Sequence, residues 1–236
     1  MFDRSAHVYD LLYGEMKSYA AEADELATLI VDRRPGATSL LDVACGTGEH
    51  LRLLADRFDD LAGVDLDEGM LAVARAKLPD ARLEPGDMRT FDLGRAFDAV
   101  TCLFSSVGYL ASTDELDSAI GRMAAHLAPG GVLIIDGWIR PEAWRDGVNV
   151  HALAAADDDV AAARVARTWR DGDRTTLEFR YLVANAEGFD TIEERHEMTL
   201  FADEDYRAAF ARAGLDPEVV TGPMGPDRDR YVAVAG

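Results

Sequence analysis

Between residues 39 and 136 the chain repeats one pattern: a short unbroken apolar run, a turn, then a stretch with apolar residues at helical spacing. The apolar runs predict strands over 39–43, 61–66, 81–84, 97–104 and 132–136, and the periodic stretches predict helices over 49–58, 68–77 and 114–127. The last helix is closed by Pro129-Gly130-Gly131, and an earlier one, 19–31, stops before Arg34-Pro35-Gly36. Val132-Leu133-Ile134-Ile135 has no polar alternation, so that strand is expected to be covered on both faces. Strands alternating with helices in this way predict an α/β fold, a doubly wound and mostly parallel sheet with right-handed crossovers. Ligands of such sheets gather at the carboxyl ends of the strands.

Past Trp138 the period changes. Residues 164–169 and 175–183 alternate apolar and polar positions around Asp171-Gly172-Asp173, a hairpin signal, and 192–201 reads as a third antiparallel strand. The region 139–202 is therefore expected to be a small antiparallel cover sheet inserted after strand five of a single domain, 1–236. A helix over 203–213 and closing core strands follow. At 236 residues and 48% hydrophobic, the chain can bury one substantial core.

Chemistry enters at Leu40-Leu41-Asp42-Val43-Ala44-Cys45-Gly46-Thr47-Gly48, a strand ending beside an acid and a Gly-x-Gly turn that opens a helix. Gly46 and Gly48 let backbone approach a ligand, and the helix N-terminus faces it with free N–H groups. A dinucleotide site would carry a third glycine where Leu51 stands. Asp42 opposes a pyrophosphate and favours a cationic, amino-bearing ligand. S-adenosylmethionine (SAM), with its sulfonium and free amino group, meets both demands. Asp65 ends the second strand about twenty residues on, where a carboxylate takes ribose hydroxyls. Gly86-Asp87-Met88 then supplies an acceptor and an apolar side chain for adenine. Taken singly, Asp65 also reads as a helix cap and Asp87 as a turn residue.

A net charge of −20 argues against nucleic acid as partner, since phosphate contacts need clustered Lys and Arg. Neither a signal peptide nor a run of about twenty apolar residues is evident, so a cytoplasmic protein with no membrane association is expected. Cys45 and Cys102 are too few for a disulfide framework or an iron–sulfur cluster. The run Asp157-Asp158-Asp159 reads as solvated, and no metal is expected.

The Leu40 to Gly48 motif, Gly86-Asp87-Met88-Arg89, Phe104-Ser105-Ser106-Val107-Gly108-Tyr109-Leu110 and His126-Leu127-Ala128-Pro129-Gly130-Gly131 together resemble the SAM-dependent N-methyltransferases of TDP-linked amino sugars. Those enzymes make the dimethylamino groups of sugars such as desosamine and mycaminose. The resemblance spans nearly the whole chain and implies a class I methyltransferase fold. It implies cofactor contacts from Tyr9, Tyr19, Ala44, Asp65, Asp87, Met88 and Leu103, and it puts Tyr109 beside the reacting amine with Ser106 nearby. Departures fall on the substrate side. Phe2 stands where some members have a tyrosine, Gly137-Trp138-Ile139-Arg140-Pro141-Glu142 replaces a tryptophan-rich segment, and the arginine of a C-terminal glycine-rich turn is matched by Arg228 or Arg230.

The expected substrate ligands are thus Phe2, Ser106, Tyr109, Trp138, Arg140, Arg228 and Arg230, with Tyr109 the catalytic candidate, its hydroxyl orienting the amine or relaying its proton, or its ring merely packing on the methionine moiety. Arg164, Arg167 and Arg180 are further candidates for the diphosphate, which arginine's planar fork suits. His50, His126 and His196 have structural readings: on a helix, at a helix C-terminus, and within a cover strand. A TDP-amino sugar is the expected partner and a homodimer the expected assembly. Methylation of another small amine, hydroxyl or carboxylate, and SAM binding without catalysis, are the competing readings.

Overall fold

The computed structural model describes residues 5–236. The predicted order of elements is present: α2 (Tyr19–Arg33), β1 (Ser39–Val43), α3 (Glu49–Leu54), β2 (Asp60–Asp65), α4 (Glu68–Lys77), β3 (Arg82–Pro85), β4 (Phe97–Cys102), α5 (Thr113–Ala125) and β5 (Leu127–Ile139). With α6 (Asp203–Arg212), β10 (Glu218–Thr221) and β11 (Arg228–Val234), they build a seven-stranded sheet ordered β10-β11-β5-β4-β1-β2-β3. Strands β1 to β5 run parallel, and β11 inserts antiparallel beside β5. Reversal of strand order between β1 and β4 opens the crevice in which such sheets bind ligands.

Two apolar layers cover the sheet. Leu26 and Ile30 of α2, Leu51 of α3 and Leu71 of α4 pack one face, while Leu116 and Ile120 of α5 and Phe210 of α6 pack the other. Helix starts follow local chemistry: the Asp67 carboxylate accepts from the N–H groups of Gly69 and Met70, and Ser112 accepts from Glu115 N. Strand β5 is longer than the apolar run 132–136. Its first residues pair before Gly130, whose φ of +72° turns the chain, so Leu127 meets Phe97 and a register shift separates that pair from Ala99–Val132.

The insertion is a four-stranded antiparallel sheet, β6 (Asn149–Ala156), β7 (Val160–Asp171), β8 (Arg174–Asn185) and β9 (Gly188–Thr199), in chain order. Strand β6 is not predicted by the sequence, because four of its eight residues are alanines with little strand preference. Pairing with β7 makes it a strand. The acidic run is the hairpin turn between them, where the Asp157 carboxylate accepts from Asp159 N and Val160 N. Also unpredicted is α1 (Ala6–Gly14), whose Val8 and Leu12 fill a third core with Trp138, Phe179, Tyr181 and Met198 beneath the inward face of this sheet. That third core ties the cover sheet to the end of β5.

Candidate active site

The turn after β1 is held open by backbone in the left-handed region: φ is +58° at Ala44, +55° at Gly46 and +72° at Gly48. At Gly48 the reason is packing as well as conformation, since a Cβ there would sit 3.1 Å from Ala74 Cβ and Leu78 Cδ1. Asp65 locks the turn. One carboxylate oxygen accepts from Gly46 N at 2.7 Å and the other from Asp67 N at 2.8 Å, and the residue lines the crevice. Burial raises the Asp65 carboxyl above its ordinary range despite these bonds.

A cavity of about 340 Å³ starts at this turn and runs past Asp65, Met70, Gly86, Asp87 and Met88. At its far end Asp87 is engaged: both its oxygens accept from Arg89, at 2.9 and 2.5 Å, and Arg89 reaches on to Glu115 at 2.5 Å. Arg89 holds the Asp87 carboxyl below the usual range. A smaller recess on the other side of the turn is lined by Tyr9, Tyr19, Asp42, Ala44, His50 and Leu103. Asp42 is buried there, and burial pushes its carboxyl up to about 7, opposed by the Thr101 hydroxyl, which donates to it at 2.7 Å. Asp42, buried with no cation paired to it among the described residues, Asp65 and the close-approach glycines form a donor set that fits SAM: Asp42 would meet its amino group and Asp65 its ribose.

A second cavity, of about 360 Å³, lies under the cover sheet. Tyr9, Ser106 and Tyr109 line both large cavities and therefore stand at their junction. Chain after β4 reaches it through another unusual turn: Phe104 and Ser105 have φ of +53° and +64°, with Phe104 N donating to Asp136 and Ser105 Oγ to the Gly137 carbonyl. Non-glycine residues held this way cost about 1–3 kcal/mol each and cluster at functional turns. Here they deliver Ser106–Tyr109 as a single 3₁₀ turn against the cavity.

The arginines separate into those in the cavity and those beside it. Arg228 stacks over Trp138 at 4.3 Å inside it, and burial lowers its guanidinium to about 10. Arg164, 2% exposed, donates to the Tyr13 hydroxyl at 2.6 Å, lies over Phe179 at 4.5 Å, and keeps a buried Nε without a hydrogen-bond partner. Among the described residues no carboxylate forms an ion pair with either. Arg230, by contrast, is fully buried outside the cavity walls, its guanidinium committed to Asp136 at 2.7 Å and Glu25 at 3.2 Å. A core strand carried by an ion pair explains its place, and it drops out as a substrate ligand. Arg140 also lies off the walls, bonded to Asp229 and the Pro226 carbonyl. Trp138 serves two ends: its indole N–H donates to Thr175 at 3.2 Å while its ring lines the cavity. Phe2 falls outside the described residues.

His196, given a structural reading, proves to touch Tyr109. Its hydroxyl is 3.2 Å from His196 Nδ1, and His196 Nε2 is 3.3 Å from Glu194 Oε2, which also accepts from Tyr181 at 3.1 Å. The signal was parity: Ile192, Glu194, His196 and Met198 share the inward face of β9, so two ionisable residues occupy positions that an apolar core would fill. His126, at the end of α5, does what a helix terminus asks, its Nδ1 donating to the Arg122 carbonyl while Nε2 accepts from Leu93 N. His50 joins a buried cluster with Glu22 and Lys17, the latter 4.0 Å over the Phe104 ring.

This geometry, a SAM-type cleft opening through a shared throat into a basic cavity, agrees with comparisons to known proteins. A model of the methyltransferase domain matches residues 40–131. The chain is 47% identical over 232 residues, 97% of each chain, to the dTDP-3-amino-3,4,6-trideoxy-alpha-D-glucopyranose N,N-dimethyltransferase of Streptomyces venezuelae. It is 48% identical over 219 residues, 92% of this chain and 86% of the relative, to the dTDP-3-amino-3,6-dideoxy-alpha-D-glucopyranose N,N-dimethyltransferase of Streptomyces fradiae. Its fold matches that of SAM-bound CalS10, an amino pentose methyltransferase from Micromonospora echinaspora involved in calicheamicin biosynthesis, with a TM-score of 0.84, 44% identity and coverage of 95% and 94%. The chain belongs to the SAM-dependent N,N-dimethyltransferases of nucleotide-linked amino sugars, within the class I methyltransferase fold.

Proposed function

We propose that this protein transfers two methyl groups in succession from SAM to the 3-amino group of a TDP-linked deoxy sugar. The observation that carries this reading is a buried guanidinium, Arg164, and a half-buried one, Arg228, lining one cavity with no carboxylate ion-paired to either among the described residues, in a chain of net charge −20. Unpaired buried cations are costly unless a ligand meets them, and a diphosphate supplies two negative charges in bidentate geometry. Relatives at 47% and 48% identity that act on 3-amino sugars support the position of the amine.

Bound SAM supplies a methyl group already activated on sulfonium. The protein's part is to hold the amine in line with it and keep water out. Tyr9, Ser106 and Tyr109 narrow the passage between the two cavities, and aromatic walls from Tyr13, Phe104 and Phe179 exclude water around it. Alignment at this throat accounts for most of the rate. The nucleotide end is a remote handle whose binding positions the amine. Incubation with SAM and TDP-3-amino sugars, read by mass for one and then two added methyl groups, tests the assignment. Turnover confined to free amines or hydroxyl compounds would reject it.

Assembly as a homodimer is supported by the outward face of the cover sheet, where Val150, Val165, Leu182 and Phe189 leave half to four-fifths of their surface in solvent. One self-complementary apolar face pairs with its copy about a two-fold axis. Light scattering should give a dimer, and Phe189→Glu with Val165→Glu a monomer.

A further inference from the structure

We propose that Tyr109, His196 and Glu194 form a proton relay that accepts the amine's proton, with His196 and Glu194 acting as positioning residues through Tyr109. The inference rests on the amine-methylating function proposed above. A sugar amine arrives at neutral pH largely as an ammonium ion, which has no lone pair for the methyl group. Something at the throat must take its proton. Tyr109 lines both cavities there, and its hydroxyl is hydrogen-bonded to the imidazole of His196.

The hydrogen-bond geometry fixes the direction. Glu194 Oε2 can only accept, so His196 Nε2, 3.3 Å away, carries the proton of the neutral imidazole. Nδ1 is then the acceptor, and the Tyr109 hydroxyl donates to it at 3.2 Å, leaving the phenolic lone pairs free to accept from the ammonium. The ammonium N–H proton passes to Tyr109 Oη while the tyrosine's own proton moves to His196 Nδ1. The result is a neutral amine and an imidazolium held against Glu194. The amine lone pair then takes the methyl carbon, the carbon–sulfur bond breaks with its electrons left on sulfur, and the nitrogen is again cationic. The proton on His196 leaves to solvent when the cavity opens for exchange.

Charges facing the imidazole decide whether it can hold that proton. From β9 comes Glu194, in direct contact, with its Oε1 buried and lacking a hydrogen-bond partner among the described residues. From β8 come Tyr181, which donates to Glu194, and the uncharged ring of Phe179, 5.0 Å from the imidazole. From β7 comes Arg164, on the Phe179 ring at 4.5 Å, and from α1 Tyr13, bonded to Arg164. Arg164 opposes a second cation, but it acts across a ring while Glu194 acts across one hydrogen bond. A carboxylate already buried gains by pairing with imidazolium, because the pair is neutral where neutral histidine leaves a lone negative charge.

The test is the pH profile of turnover for the full-length enzyme with SAM and a TDP-3-amino sugar, comparing wild type with Glu194→Gln, His196→Gln and Tyr109→Phe. At pH 7 kcat should fall about tenfold or more in each variant, the KM for SAM staying within about twofold. At pH 9.5, where the amine arrives neutral, each should return to within about threefold of wild type. The double variant Tyr109→Phe with His196→Gln should match the single variants, as members of one path do. Folded variants whose profiles run parallel to wild type at every pH would overturn the relay, as would additive losses in the double variant. If the glutamine variants do not fold, Tyr109→Phe decides alone, since phenylalanine preserves the ring packing. A wild-type enzyme that methylates no TDP-amino sugar at any pH would reject the parent function and the relay with it, whereas turnover with parallel profiles rejects the relay only.

Discussion

The two large cavities share a throat but are built on opposite plans. Cofactor-side residues come from contiguous turns at the ends of parallel strands: Ala44 to Gly48 after β1, Asp65 after β2, Gly86 to Met88 after β3. Substrate-side residues come one or two at a time from α1, the end of β5, all four cover strands and the C-terminal tail. A turn that must wrap a fixed ligand constrains adjacent residues jointly. A cavity roofed by an antiparallel sheet constrains only every second residue of each strand, and residues distant in sequence meet across it. Damage should therefore spread differently: locally severe on the cofactor side, graded and separable on the substrate side.

The largest effect is expected at Asp65. Replacing it with alanine removes the proposed ribose acceptor and both backbone ties, to Gly46 and Asp67, that hold the turn. Hydrogen bonds involving charged groups contribute about 1.5–3 kcal/mol each, so SAM affinity should fall about a hundredfold. Calorimetric titration of the variant checks this. An unchanged dissociation constant would show that the turn and the ribose contact are both dispensable, contrary to the plan described for this half. Asp65→Asn should recover part of the loss, since an amide oxygen can keep one of the ties.

Arg164→Met sharpens the contrast from the other side. Methionine keeps the stacking bulk over Phe179 and removes the charge. TDP affinity, measured with demethylated SAM present, should drop about tenfold to thirtyfold while SAM binding stays put. The TDP response should also weaken with salt, as phosphate–guanidinium contacts are screened. Arg230→Met should leave TDP binding alone and lower the melting temperature, because it breaks a buried pair with Asp136 instead of a ligand contact. Equal losses of TDP binding in both variants would erase the division between cavity and core arginines.

That division marks where the sequence stopped being readable. Strand positions β1 to β5, the glycine turn and the acid after β2 were legible as local patterns, whereas the Phe104 to Tyr109 segment stood out only by family resemblance, its pattern reading as strand to Phe104 where the strand ends at Cys102 and a left-handed turn follows. Arg228 and Arg230 look alike in sequence. They lie two apart and so share a face of β11, yet Arg230 pairs with Asp136 inside the sheet while Arg228, across a register shift, projects over Trp138. Only the irregularity separates them, and no composition signal announces it. Arg164 was visible only as one of several arginines in an alternating strand. Its inward parity, shared with Ala162, Ala166 and Thr168, becomes informative once the hairpin register is known. Helix α1 carried a readable apolar spacing at Val8 and Leu12, but its role, lining both cavities with Tyr9 and the substrate side with Tyr13, depends on contacts with strands about 150 residues away.

A pH dependence should distinguish the recess around Asp42 from the rest of the cofactor side. In the free protein burial holds this carboxyl near 7. The amino group of SAM needs the carboxylate form, so below pH 7 a proton must be lost for binding to occur. Affinity for SAM should decline as pH falls from 7 to 5, by up to about tenfold per pH unit, and binding near pH 7 should release a proton. Calorimetry in two buffers of different ionisation enthalpy reads that proton directly. Stability of the free protein should run the other way. The folded state holds the proton more tightly than the unfolded one, so this group's contribution is full below about pH 4 and is lost as pH rises to 7. Asp42→Asn should flatten both trends.

The smallest effect is expected at the adenine end, where Arg89 spans Asp87 and Glu115. The clamp occupies the oxygens that adenine's amino group would otherwise meet, yet its side chain is 40% exposed, and solvent-exposed ion pairs contribute about 0–1 kcal/mol. Two effects then oppose each other in Arg89→Ala. Asp87 is freed to accept from the base, while the loop from Gly86 to Thr90 loses its tether to α5. The two offset each other, so SAM affinity should stay within about threefold of wild type and methyl transfer should persist. A tenfold loss would show that the guanidinium itself covers the base, and would make this end of the cleft as sensitive as the glycine turn.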